Sequence, residues 1–318
     1  MNRRYVTLII TAAVLSALYA GGGLLFPNFL SLRVLVNLFG DNAFVGITAV
    51  GMTFVIISGG IDLSVASVIA FTTIFIAQNV HDGMHPVPAM LCALVLGSVF
   101  GATQGWLISF FGLPPFLVTL SGMFFARGAG FIINDVSLAI KHSFYSETIR
   151  GLAISLTGKI RLPFTAQCLL LFVVAGTFLA GYTRFGRYVY AIGSNEPSAR
   201  LMGVPVNRMK ILIYAVSGFC AASAGCVATF YMQSGNSASF TGMEMDAIAA
   251  SVIGGTLLTG GVGGVPGTLM GVMILGLIQT LITFQGNLNN WWAKIFIGAL
   301  LFLFISVQQL LNRKMQSR

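Results

Sequence analysis

Ala43-Phe-Val-Gly-Ile-Thr-Ala-Val-Gly-Met-Thr-Phe-Val-Ile-Ile-Ser-Gly-Gly-Ile-Asp-Leu-Ser64, followed by further apolar residues to Asn79, decides the fold. The run is far too long for one helix, and Ser58-Gly-Gly-Ile-Asp-Leu-Ser64 divides it into two short halves. Ala43–Ser58 alone would rise about 24 Å at about 1.5 Å per residue, less than the roughly 30 Å hydrocarbon core of a bilayer. Asp246–Gly267 behaves similarly around Gly254-Gly-Thr-Leu-Leu-Thr-Gly-Gly-Val-Gly-Gly-Val-Pro-Gly267. Glycine-interrupted apolar segments in both halves of a chain point to broken helices lining a pathway. Such backbone is tolerated at membrane depth only where protein or a watery cavity covers it. Two tight turns on the cytoplasmic side would give the same pattern, and both readings stay open here. Val55-Ile-Ile-Ser-Gly-Gly60 and Ser251-Val-Ile-Gly-Gly255 also look faintly alike, a weak sign of internal duplication.

The composition agrees with a membrane protein. Charged residues make up 8% of the 318 and hydrophobic ones 56%, with a mean hydropathy of +0.90. Soluble domains carry about 25% charged residues. Apolar runs place spans near 6–26, 43–58, 63–79, 88–110, 115–134, 164–182, 211–231, 246–259, 265–284 and 292–310. The expected fold is therefore an all-α, polytopic bundle of about ten transmembrane helices with Gly-interrupted segments, one domain over 1–318. The first apolar run exceeds a signal-peptide core and reads as an uncleaved span.

An even number of spans puts both termini on one side. Arg3, Arg4, the loop 183–210, Arg313, Lys314 and Arg318 then share that side, which the positive-inside rule makes cytoplasmic. The net charge of +9 follows this distribution and does not imply nucleic acid. Cys92, Cys168, Cys220 and Cys226 lie in apolar runs without a CxxC pair, so neither a disulfide framework nor a metal site is expected. Gly97, Gly101 and Gly105 recur every four residues, as do Gly267 and Gly271, and such faces let helices approach closely. The outer loop 135–163 is mixed in charge (Asp135, Lys141, Glu147, Arg150, Lys159, Arg161) and could dock an external partner or simply be solvated.

The loop 183–210 is the conspicuous polar insert. Asn195 to Gly203 reads as a short helix: Asn195 can cap it, Glu196 suits its positive end, and Pro197 is tolerated in the first turn. Gly203 suits the left-handed position after the last turn, and Pro205 stops continuation. This helix either docks a soluble partner or lies on anionic lipid as a connector.

Catalytic chemistry has no foothold. No lysine is followed by Ser or Thr, as a P-loop requires, and no HExxH occurs. Ionisable groups at membrane depth are functional candidates by default; these are Asp62 and Arg127, with Asp246 and Lys294 near interfaces. A structural salt bridge or an interfacial position would also explain Asp62 and Arg127. Since most acids fall in loops, the driving energy is expected from another subunit. An ion-coupled secondary transporter with broken helices is the first rival, and a membrane-embedded enzyme the second.

Three blocks carry a family resemblance: Gly51-Met-Thr-Phe-Val-Ile-Ile-Ser-Gly-Gly-Ile-Asp-Leu-Ser-Val65, Phe185-Gly-Arg-Tyr-Val-Tyr-Ala-Ile-Gly-Ser-Asn-Glu196 with Ala199-Arg-Leu-Met-Gly-Val204, and Gly254-Gly-Thr256 with Gly260-Gly261 and Gly267-Thr268. In this order they resemble the ribose-type carbohydrate ABC importer permeases, over almost the whole chain. Ala66, Leu257 and Pro197-Ser198 depart from that family's usual residues. The resemblance implies a multi-pass permease of the bacterial inner membrane without cofactor. Its implied partners are a cytoplasmic ATP-binding subunit, an identical or related second permease subunit, a periplasmic sugar-binding protein and membrane lipid. The implied substrate is a pentose or hexose such as galactofuranose. Asn195, Glu196, Ala199, Arg200 and Gly203 would form the coupling helix on the ATPase, and Gly59, Gly60, Asp62, Ser64, Arg127, Gly254 and Gly255 the pathway or its gate.

Overall fold

A computed structural model of the chain describes residues 3–157, 160–286, 289 and 291–316. Lys159 and Arg318 lie outside the described residues, as do the side chains of Arg3, Arg4, Arg150, Arg313 and Lys314. The described chain is helical almost throughout. Six helices are long and apolar enough to cross a membrane: α1 (Arg3–Leu25), α5 (Pro86–Phe110), α6 (Pro115–Ile133), α8 (Phe164–Tyr182), α11 (Val206–Met232) and α13 (Val265–Gln285). A bent pair, α2 (Leu32–Asp41) and α3 (Ala43–Ile57), with 57° between them, is long and apolar enough only when its two helices are taken together. At the bend the side-chain amide of Asn42 donates to the Leu38 carbonyl at 2.9 Å. The remaining helices are α4 (Val65–His81), α7 (Ser143–Gly151), α9 (Arg184–Ser194), α10 (Glu196–Leu201), α12 (Met243–Ile253) and α14 (Trp291–Gln316).

Each of the ten expected spans coincides with a helix, but they are unequal. The span expected at 43–58 is one arm of the bent pair, and α2 before it was not anticipated. The span expected at 246–259 is the 11-residue α12, about 16 Å long, followed by irregular chain. The 183–210 segment is not an open loop: it holds α9, α10 and the first turn of α11. The outer segment 135–163 is folded too. Its strands β1 (Leu138–Ala139) and β2 (Ile154–Thr157) pair antiparallel with β4 (Ser234–Gly235) and β3 (Ile160–Leu162), respectively. On α7, Tyr145 is buried beside Phe230 and bonds Thr229 at 3.1 Å, which fixes this cap onto the end of α11. Burial pushes the Tyr145 phenol up to about 12, so it stays neutral.

The 27-residue α11 is the central post, packed against α3, α4 and α5. The expected glycine face explains how. Side chains at Gly97, Gly101 or Gly105 would collide with the backbone of α11 around Gly218, Tyr214 and Lys210, so α5 and α11 meet main chain to main chain. Gly267 and Gly271 likewise face Gly254 and Ala250, closing α13 on α12. Buried hydroxyls join these layers: Thr53 of α3 bonds Thr268 of α13 at 2.6 Å and Ser251 of α12 at 3.3 Å.

Candidate functional site

Both glycine-rich segments are breaks between helices, and they share one backbone device. At the end of α3 the Gly60 amide donates to the Val55 carbonyl at 3.0 Å, with Gly59 left-handed at φ +85°. At the end of α12 the Thr256 amide donates to the Ser251 carbonyl at 3.0 Å, with Gly255 at φ +94°. This closure satisfies carbonyls that a helix end leaves orphaned, and it needs a residue without a Cβ penalty at the left-handed position. The faint likeness of the two segments in sequence is thus a likeness of backbone.

The first break holds Asp62, which is 1% exposed. Burying a carboxylate is costly unless donors satisfy it. One carboxylate oxygen accepts from the Ser64 amide at 2.9 Å and from its hydroxyl at 2.7 Å; the other accepts from Ser217 of α11 at 2.7 Å. Gln104 of α5, itself buried, donates to the Ser64 hydroxyl at 3.0 Å. The Ile61 carbonyl accepts from Thr119 of α6 at 3.3 Å. Three helices therefore pin this short segment. Among the described residues Asp62 makes no ion pair, so the salt-bridge explanation does not apply to it. A crevice of about 410 Å³ between α5 and α6 has Gln104, Ser121 and Gly122 among its lining residues and reaches this network.

Arg127 is not part of that site. From α6 it reaches away from the break and donates to the Ser237 and Ser239 carbonyls, both at 2.6 Å. It ties down the turn between α11 and α12, with Glu244 as a nearby counter-charge. Asp246 and Lys294 form an ion pair at 2.6 Å that joins α12 to α14.

Gly254, Gly255 and the chain to Gly264 form the second break. Gly260, Gly261 and Gly263 also have positive φ, so backbone freedom is concentrated here. The hydroxyl of buried Thr256 has no hydrogen-bond partner among the described residues.

Between α8 and α11 the chain forms α9 and α10 as two capped helices. The Thr183 hydroxyl accepts from the Gly186 amide at 3.3 Å, and Phe185, Val189 and Ile192 give α9 an inward apolar face. Asn195 caps α10 as expected, accepting from the Ser198 amide at 2.8 Å. Gly203 is left-handed at φ +82° and Pro205 precedes α11. Glu196 pairs with Lys210 at 2.8 Å and with Arg200 at 3.4 Å. Ala199 faces inward and is fully buried. Pro197, Ser198, Arg200 and Gly203 are exposed, while Leu201 and Met202 are exposed by 90% and 72%. Those two apolar side chains at the edge of a charged helix were missed from sequence, where they read as ordinary members of an apolar chain.

Residues 34–305 match the family described as the branched-chain amino acid transport system permease component. The chain is 50% identical, over 97% of its length and 93% of the relative's, to the inner membrane ABC transporter permease protein YjfF of Escherichia coli K12. It is 34% identical to the fructose import permease protein FruG of Bifidobacterium longum, over 97% of this chain and 92% of that one. It is 32% identical to the ribose import permease protein RbsC of Escherichia coli K12, over 96% and 92%. No solved structure matches it.

Proposed function

The chain belongs to the ribose-type carbohydrate ABC permeases, multi-pass proteins of the inner membrane, and from that membership we propose that it forms half of a sugar translocation pathway powered by a separate ATP-hydrolysing subunit. The observation that carries this reading is the surface of α10. Leu201 and Met202 stand exposed on a capped helix, next to Arg200 and the Glu196–Lys210 pair. An apolar anchor inside a polar rim is how protein partners are gripped. The basic flank supports a cytoplasmic position for α9, α10 and both termini.

The mechanism is a population shift between pathway states. ATP closes the ATPase subunits, which draw α10 with them. α9 follows, and the two breaks beside it change the opening between this chain and a second permease. Sugar delivered by a periplasmic binding protein, docked on the α7 and β2–β3 cap, then crosses inward. Relatives named for fructose and ribose support a pentose or hexose substrate, with galactofuranose as our specific candidate.

Replacing Leu201 and Met202 together by Glu is expected to lower ATPase co-purification by about tenfold or more, the effect of losing a buried apolar anchor. Full recovery of the ATPase with normal uptake would discard α10 as the docking surface. One observation favours a second reading: Asp62 is a buried acid beside a broken helix, as an ion-coupled carrier would require. Its oxygens are already occupied by hydroxyl and amide donors, which favours a structural role. Uptake that collapses with the ion gradient and ignores ATP would decide for the carrier.

A further inference from the structure

We infer that Gly193 is the positioning residue through which the α9–α10 segment acts on both breaks at once. This rests on the proposed docking of an ATPase at α10. The end of α3 and the second break are joined directly: the Gly261 amide donates to the Ile57 carbonyl at 2.8 Å. Ile57 is the last residue of α3, so its carbonyl is one that the helix leaves without an internal partner. The second break thus caps the first helix. Gly193 lies against this bond from the α9 side. A side chain there would run into the Ile57 carbonyl and come within 2.6 Å of the Gly261 nitrogen.

The contact is reciprocal. A Cβ on Gly260 would sit 2.9 Å from the Gly193 carbonyl oxygen, and one on Gly261 would sit 3.0 Å from Cα of Ser194. Three backbones meet, with the short Ser194 side chain beside Gly261 as the one side chain at these contacts. Side chains of α9 also grip each side of the junction separately. The Phe185 and Phe54 rings are 5.5 Å apart, and the Tyr190 hydroxyl donates to the Gly263 carbonyl at 2.9 Å. A shift of α9 therefore cannot pass one break without carrying the other. The left-handed glycines on the far side of the junction give the second break the freedom to follow.

The test uses the assembled transporter with its ATPase and sugar-binding protein. Gly193→Ala should leave the ATPase bound, while sugar uptake and its coupling to ATP hydrolysis fall by about tenfold. Tyr190→Phe keeps the ring and removes the bond to Gly263, and should give a smaller loss of the same kind. Normal coupling in Gly193→Ala would overturn the inference. Should that variant fail to assemble, spin labels at Arg187→Cys and Leu258→Cys, in a chain without its native cysteines, read the junction directly. A distance that stays fixed while ATP binds supports the junction; a distance that changes overturns it. Absence of any ATPase from the wild-type complex would instead refute the proposed function, which the label distance does not measure.

Discussion

The two breaks end their helices in the same way and then diverge. Both close with an amide reaching back five residues and a left-handed glycine, Gly59 in one and Gly255 in the other. Beyond the cap, the first break is short and carries a carboxylate held by Ser64 and Ser217, with Gln104 behind it. The second is longer, holds no charged residue, and has three more positive-φ glycines. One backbone solution thus serves two ends. Polar cross-links tie the first break to α5, α6 and α11, so that it moves only together with those helices, whereas the second has the backbone freedom to follow α9.

The largest test of that contrast is removal of the fixing carboxylate. Asp62→Ala leaves the Ser64 amide and the Ser217 hydroxyl without their acceptor in a buried site, while the Ser64 hydroxyl can turn to Gln104 Oε1 at 3.3 Å. Unsatisfied buried groups cost about 1–3 kcal/mol each, so for these two donors an overall loss of about 2–6 kcal/mol is expected. Unfolding in mixed detergent micelles measures it. Asp62→Asn keeps the shape and one acceptor oxygen, and should lose less while still slowing uptake. A stability equal to wild type in Asp62→Ala would make the two breaks equivalent and end the comparison.

The shared cap can be tested at Gly59. No atom lies within 4 Å of the position a Cβ would take, so Gly59→Ala isolates the backbone cost of φ +85°. That cost is about 1–2 kcal/mol for a residue forced into the left-handed region. Thermal unfolding of the purified protein would read it, and no change in midpoint would mean that the cap relaxes when substituted.

Much of this arrangement was legible in sequence where the cause is local. Asn195, Gly203 and Pro205 announce the ends of α10 because capping depends on neighbouring residues. The four-residue glycine repeat on α5 announced a close helix contact, though not that α11 makes it. The partners of Asp62 could not be read, since Gln104 lies 40 residues from Ser64 along the chain and Ser217 lies 155 from Asp62. Gln104 did leave a trace, as a polar residue beside Gly105 on a close-packing face. α9 was hidden for another reason: its 11 residues carry two arginines and look like loop. The spacing of Phe185, Val189 and Ile192 was the signal that could have found it.

The smallest expected effect sharpens the comparison from the other side. If the second break is not polar-locked, removing its buried hydroxyl should cost nothing. Thr256 is fully buried, and its hydroxyl has no partner among the described residues. Thr256→Val keeps the shape and deletes the unsatisfied group, so stability should stay within about 0.5 kcal/mol of wild type or rise. Uptake should be unaffected, because the junction with α9 is made by the backbone of Gly260 and Gly261 rather than by this side chain. A loss above about 1 kcal/mol would mean that the hydroxyl does have a partner, such as a bound water. The second break would then be held by polar contacts as the first is, and its ability to yield would have to reside in the glycines alone.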